Sequence, residues 1–245
     1  MAKTRQIVKV FLGSPGDLPD ERKCARELVA ELNGQWADAF GIQIDLVGWE
    51  DTPSAYGRPQ ETINRELERC EVFIGMMWKK WGTPPDTAGK YSSGFEEEFE
   101  ISVGRRRSEG KPEISLFLKD IATEFLADPG PDLRKVLAFK DRLIAQKEIY
   151  YEQVSDTRDF EKKLRRCLNK YLTDLWQSQN RLQNKEEVAP ISDAATEIAP
   201  DDGEDKGLGL NLSGVVQCSK WPVPQRSPAS FYYRRMLPWA NTSTK

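Results

Sequence analysis

The period of the apolar positions changes repeatedly along this chain. Ile7 to Leu12 (IVKVFL) is a short β-branched run that predicts a strand. It stops at Gly13-Ser14-Pro15-Gly16-Asp17, a strong turn signal. Leu18, Cys24, Ala25, Leu28, Val29 and Leu32 then recur at three- and four-residue spacings, the mark of an amphipathic helix. Ile42 to Trp49 alternates through Ile42, Ile44 and Leu46 and predicts a second strand, and Glu61 to Cys70 returns to helical register through Ile63, Leu67 and Cys70. Val72 to Trp78 (VFIGMMW) is continuously apolar, as expected of a strand covered on both faces. Lys79 to Ser93, with Gly82, Pro84, Pro85 and Gly89, predicts a long loop. A helix from Gly94 to Arg107 and a strand from Glu113 to Leu118 follow. Helices at Leu133 to Gln146 and Arg158 to Leu175 then flank a short strand at Ile149 to Tyr151. This alternation predicts an α/β domain over residues 5–175, with a doubly wound, mostly parallel sheet of about five strands.

Past Trp176 the periodicity fades. Residues 176–206 read as a flexible linker with an acidic run from Glu197 to Asp205. Residues 207–245 set Trp221, Phe231, Tyr232, Tyr233 and Trp239 among prolines and glycines. That tail could dock on the domain or on a partner, or be a non-native or truncated end.

Composition narrows the chemistry. The sequence contains no histidine, which removes Ser-His-Asp and Cys-His catalysis and every His-based metal site. Any catalysis must rest on carboxylates, Lys, Tyr, Cys, Ser or a cofactor. The four cysteines lie far apart with no C-x-x-C pair, so a reducing, cytoplasmic setting fits better than a disulfide scaffold or zinc knuckle. No run approaches a membrane span. A net charge of −3 gives no general case for direct nucleic-acid binding.

Open α/β sheets bind ligands at the carboxyl ends of their strands. There this chain offers Ser14, Gly16 and Asp17, then Trp49 and Glu50, then Trp78. The Gly-containing turn either lets backbone approach a ribose or phosphate, or is a strand-to-helix turn with Asp17 as N-cap. In the helix that starts at Gly94, Phe95, Phe99, Ser102 and Val103 share the face toward the sheet. Glu97 falls opposite, in water, and Glu96 and Glu98 flank the buried face. That acidic turn either complements the helix dipole or supplies a partly desolvated carboxylate to a cleft. Trp49, Trp78 and Trp81 either stack on a base or nicotinamide or form the rim of a core.

The motifs occur in an ordered set: V-F-L-G-S-P-G-D-L, E-R, W-E-D, P-Q-E-T-I-N-R-E-L-x-x-C-E-V-F-I-G, W-G-T-P and S-G-x-E-E-E-F-E, ending with D-F-E-x-x-L-R-x-x-L. The set resembles a bacterial domain family of unknown function with a V-F-[IL]-S-S-P-G-D-L opening, which often precedes NACHT or tetratricopeptide regions. That family is similar in fold to Toll/interleukin-1 receptor (TIR) domains and nucleoside 2-deoxyribosyltransferases. The resemblance implies a Glu on the helix after the third strand that cleaves an N-glycosidic bond, with Gly94 followed four residues later by Glu98. It implies that the Ser14–Asp17 turn lines the base and sugar site. Where the pattern commonly has Thr, this chain has Phe95, a bulky residue that could close the pocket. Gly13 and Glu71 replace the usual Ser and Asp.

The resemblance thus implies a nucleotide-directed N-glycosidase of the NAD hydrolase type, with NAD as substrate rather than cofactor, acting in anti-phage defence. Glu98 would stabilise or attack the ribosyl cation. Two other readings stand beside it: a non-catalytic TIR-like module that self-associates or binds a separate sensor protein, and a base-exchanging deoxyribosyltransferase.

Overall fold

In a computed structural model the chain is described over residues 4–51, 56–87 and 89–187. The first apolar run forms β1 (Gln6–Gly13), and Pro19 opens α1 (Pro19–Phe40) from its first turn. Gly41 closes α1 in the left-handed region (φ 67°), its N–H donating to Ala37 O at 3.2 Å. β2 (Ile42–Gly48) runs into a single 3₁₀ turn, Trp49–Asp51. There follow α2 (Pro59–Leu67), β3 (Val72–Met77), α3 (Gly94–Glu109), β4 (Glu113–Lys119) and the short α4 (Thr123–Ala127). α5 (Pro131–Gln146), β5 (Tyr151–Val154) and α6 (Thr157–Glu187) complete the described residues.

All five strands pair in parallel, in the order β2-β1-β3-β4-β5. The expected doubly wound parallel sheet is therefore present, and its topological switch point lies between β1 and β3. Alternation divides the core into two layers. Val8, Val10 and Leu12 of β1, with Ile74 and Met76 of β3, face α1 and α6. Phe11, Phe73 and Met77 face the layer containing Phe95, Phe99 and Val103 of α3 and Phe139 of α5. Every residue of β3 is buried, as its unbroken apolar run requires.

Several elements depart from the prediction. β5 covers Tyr151–Val154 rather than Ile149 to Tyr151. It is an edge strand with polar middle positions, Glu152 half-buried and Gln153 exposed, and the more apolar residues before it do not mark it. α4, whose five residues are too few to show a period, was not predicted. α6 continues past Leu175 to Glu187, into the stretch read as linker. The remainder of that linker and the aromatic tail lie outside the described residues. Among the described residues no helix is long and apolar enough to cross a membrane.

Candidate functional site

The first turn of α3 is assembled by local capping. Ser93, the N-cap, accepts from Glu96 N at 3.1 Å, and the Glu96 carboxylate accepts from Ser92 N and Ser92 Oγ at 2.8 Å each. Trp81, buried under the loop, donates its indole N–H to the same Ser92 Oγ at 2.8 Å. This arrangement sets the rotation of α3 and therefore where the next carboxylates point.

Glu98 points inward at the end of β1. Its Oε2 would lie only 2.9 Å from a Cβ placed on Gly13, so the missing side chain at Gly13 is what makes room for it. Gln60 of α2 donates from Nε2 to Glu98 Oε1 at 3.2 Å. Only 4% of Glu98 is exposed. Burial, partly offset by the Gln60 hydrogen bond and reinforced by the nearby charge of Glu97, pushes its carboxyl from the ordinary 4.5 up to about 8. At neutral pH the folded protein therefore holds Glu98 mainly in its neutral form.

Glu97 does not face water, as the helical wheel implied; it is buried. Arg58, just before α2, grips it with two bonds of 3.0 and 2.6 Å, and Asn64 Nδ2 donates to it at 2.7 Å. A wheel drawn against the sheet alone misses α2, which packs along the outer flank of α3. Gln60 Nε2 also donates to Asn64 Oδ1 at 3.2 Å, so a continuous chain of hydrogen bonds links Glu98 through Gln60 and Asn64 to Glu97 and Arg58. Arg58 reaches on to Asp86 at 2.9 Å and ties the loop after β3 to this network.

Phe95 is 5% exposed and packs in the aromatic layer, within 6.4 Å of the Phe73, Phe99 and Phe139 rings. It fills core.

The switch-point turn is held by side chains from both flanks. Asp17 is not the N-cap of α1; that position is Leu18, with no side-chain cap bond. The Asp17 carboxylate instead spans the crevice, its Oδ2 accepting from the backbone N–H groups of Lys79 and Lys80 at 2.9 Å each. Two successive N–H groups form an anion nest, and the protein's own carboxylate fills it. Asp17 Oδ1 is buried and has no partner among the described residues. Arg22 of α1 donates to Ser14 Oγ at 3.3 Å, Pro15 O at 2.9 Å and Glu50 Oε1 at 2.9 Å, and its guanidinium lies 5.7 Å from the Trp49 ring centroid. Ser14, Trp49 and Glu50 thus meet around Arg22. Gly16 is exposed, and an added Cβ would meet nothing within 4 Å.

Trp78 stands apart from Glu98. Its indole packs against the layer facing α1 and α6, and its Nε1 donates to Asp120 O at 3.0 Å beyond β4. Glu98 belongs to α3, on the other face. Sequence reasoning gave no role to Gln60, Asn64, Arg58 or Arg22. Gln60 and Asn64 stand in the P-Q-E-T-I-N motif and Arg22 in the E-R pair, so the signal was present without an assignment.

No curated protein matches the chain. Among solved structures, a TIR-domain chain of the activated Roq1 resistosome, which directly recognises the pathogen effector XopQ, aligns at 13% identity over 66% of this chain and 99% of that one. The TM-score of 0.39 is too low to support an argument about function. The model for a domain of unknown function, DUF4062, matches residues 9–169. That is well over half of the chain, and its position agrees with the ordered motifs from β1 to α6: the chain belongs to the DUF4062 family.

Proposed function

We propose that the domain is a nucleotide-directed N-glycosidase of the NAD hydrolase type, with Glu98 as its catalytic carboxylate. The observation that carries this reading is a fully buried carboxyl at the start of α3, raised to about 8 and held by Gln60 beside the side-chain-free Gly13. Strongly perturbed carboxyls held by a dedicated partner are concentrated at functional sites. As the C1′–N bond breaks, its electron pair leaves with the base and positive charge grows on the ribosyl carbon. A carboxylate beside that carbon stabilises the cation or bonds to it, and water then completes hydrolysis. A cationic substrate ring would draw the Glu98 proton off, because a nearby positive charge favours the ionised carboxyl. Ser14, Glu50 and Trp49, gathered by Arg22, would line the sugar and base side of the same site, with Gly16 giving backbone access. The protein would act as a cytoplasmic effector of anti-phage defence. The test is incubation of purified protein with NAD, with and without phage-infected extract, while nicotinamide release is followed. Cleavage that survives Glu98→Gln would remove Glu98 from its role.

A second reading, a non-catalytic assembly module, is favoured by the closure of the site. Glu98 is nearly inaccessible, and Asp17 occupies the switch-point nest. Under this reading the chain self-associates or docks on a sensor protein. Sedimentation of the full chain as a monomer at high concentration, with no co-purifying partner, would refute it.

A further inference from the structure

Trp78, expected from the sequence to share a pocket with Glu98, walls a different cavity. Beyond the carboxyl ends of β3, β4 and β5 lies a recess of about 410 Å³. Trp78, Lys119, Lys140 and Gln153 contribute its polar and aromatic wall, and Leu126 and Val136 part of its apolar one. A second recess of about 480 Å³, walled by Lys79, Lys80 and Phe125, adjoins it. Lys79, of the second lining, stands between them: its ammonium lies 3.7 Å from the ring centroid of Trp78, which lines the first recess, and 4.2 Å from that of Phe125, which lines the second.

The charges around this crevice are unevenly matched. Lys119 Nζ lies 4.6 Å from the same indole and pairs with Glu21 at 2.7 Å. Among the described residues, no carboxylate lies within 4.0 Å of the ammonium of Lys79, Lys80 or Lys140. The acidic groups in the two linings are Asp120, Asp128 and Asp132, of which Asp128 is taken by Arg134 at 3.8 Å. Ammonium groups resting on aromatic faces are stabilised there without losing their capacity for an anion. The apolar side of the crevice is open as well. α4 buries none of its residues, and Phe125 and Leu126 are 42% and 45% exposed at the rims of the two recesses. Apolar walls with a few convergent polar groups are what small-molecule sites consist of.

We propose that this crevice binds a small organic anion. Its planar body would lie against Phe125, Leu126 and the Trp78 edge, and its phosphate or carboxylate would be taken by Lys79 and Lys140. The site uses neither the Glu98 side chain nor those of its hydrogen-bond partners, so its test is separate from that of the glycosidase reading.

The test is calorimetric titration of the full chain at low salt with AMP, with benzoate and with inorganic phosphate. Variants Lys79→Ala, Lys140→Ala and Glu98→Gln are titrated alongside; neither lysine side chain belongs to the packed core, so these variants should fold. The expected result is saturable binding of AMP or benzoate. Either lysine variant should weaken it by roughly tenfold, the equivalent of one charge-assisted bond, and Glu98→Gln should leave it unchanged. Inorganic phosphate should bind more weakly than the preferred organic anion. Three results would overturn the proposal: no saturable binding of either organic anion, binding indifferent to both lysines, or phosphate binding as tightly as the organic anions. AMP binding lost in Glu98→Gln but intact in the lysine variants would also overturn it, by placing the ligand at the other site.

Discussion

Replacing Glu98 with Gln should make the protein more resistant to unfolding at mildly alkaline pH, and the size of the effect follows from its burial. The folded carboxyl sits at about 8, whereas the unfolded chain returns it to the ordinary 4.5. Between those values the folded state holds a proton that the unfolded state has released. Stability contributed by this group therefore falls as pH rises, beginning near the unfolded value and levelling off above the folded one. At about 1.4 kcal/mol per pH unit, raising the pH from about 5 to about 8 should cost the wild type roughly 3 kcal/mol at this position alone. In the Glu98→Gln variant the position has nothing to titrate. The introduced amide also faces the Gln60 amide, and an unmatched buried donor costs about 1–3 kcal/mol at any pH. The decisive quantity is therefore the change in the mutant-minus-wild-type difference between the two pH values, in which that fixed cost cancels. Urea unfolding at both pH values measures it. Parallel stability curves for the two proteins would refute the claim that Glu98 is held neutral by burial.

The network around Glu98 yields further predictions. Arg58→Ala strands the buried Glu97 carboxylate and should destabilise by about 2–3 kcal/mol in urea, less than a fully buried pair because Arg58 is itself about one-third exposed. Asp17→Ala removes the acceptor for two backbone N–H groups and should cost about 1–2 kcal/mol. It should also speed tryptic cleavage after Lys79 or Lys80, and an unchanged digestion rate would count against the tether. Gly13→Ala sets a methyl 2.9 Å from Glu98 Oε2 and 3.1 Å from the Phe73 ring and should cost about 1–3 kcal/mol. Much of that cost should be recovered in a Gly13→Ala/Glu98→Ala double variant, since the two sites are in contact. Phe95→Thr, which restores the residue common in the resembled pattern, should lose about 3 kcal/mol or more from the aromatic layer without raising NAD cleavage. A gain in cleavage would mean that Phe95 obstructs the site after all.

The sheet was legible because each strand's burial is written in its period. IVKVFL alternates where β1 presents one side chain to each helical layer, and VFIGMM does not alternate because β3 is covered on both faces. What the period could not express is lateral neighbours. The helical wheel placed Glu97 correctly relative to the sheet, yet α2 lies on that flank and buries it. Glu98 was legible as a residue that flanks the buried face. Its complete desolvation was not, because that depends on Gly13 from β1 and Gln60 from α2 arriving at the same point. Trp78 follows the same logic. Position along β3 put it at a strand end, but the alternation that sends Met77 to the α3 side sends Trp78 to the α1 side.

Glu98, buried, and Asp17, half-buried, are two acids in opposite situations. Asp17 accepts two backbone N–H groups across the switch point and closes the crevice with the protein's own carboxylate. Glu98 receives one amide hydrogen bond and no cation, and burial there favours the neutral form. If both carboxylates are to serve one anionic, ring-bearing substrate, they must respond in opposite directions. The substrate's phosphate or carboxylate would compete with Asp17 for the Lys79 and Lys80 N–H groups, whereas its cationic ring would deprotonate Glu98. A substrate carrying both charges could therefore open the crevice and activate the carboxylate in one binding event. A neutral nucleoside could do neither. This is a physical reason to test NAD before deoxynucleosides: of the two enzymatic readings, only the hydrolase supplies a substrate able to unlock both acids.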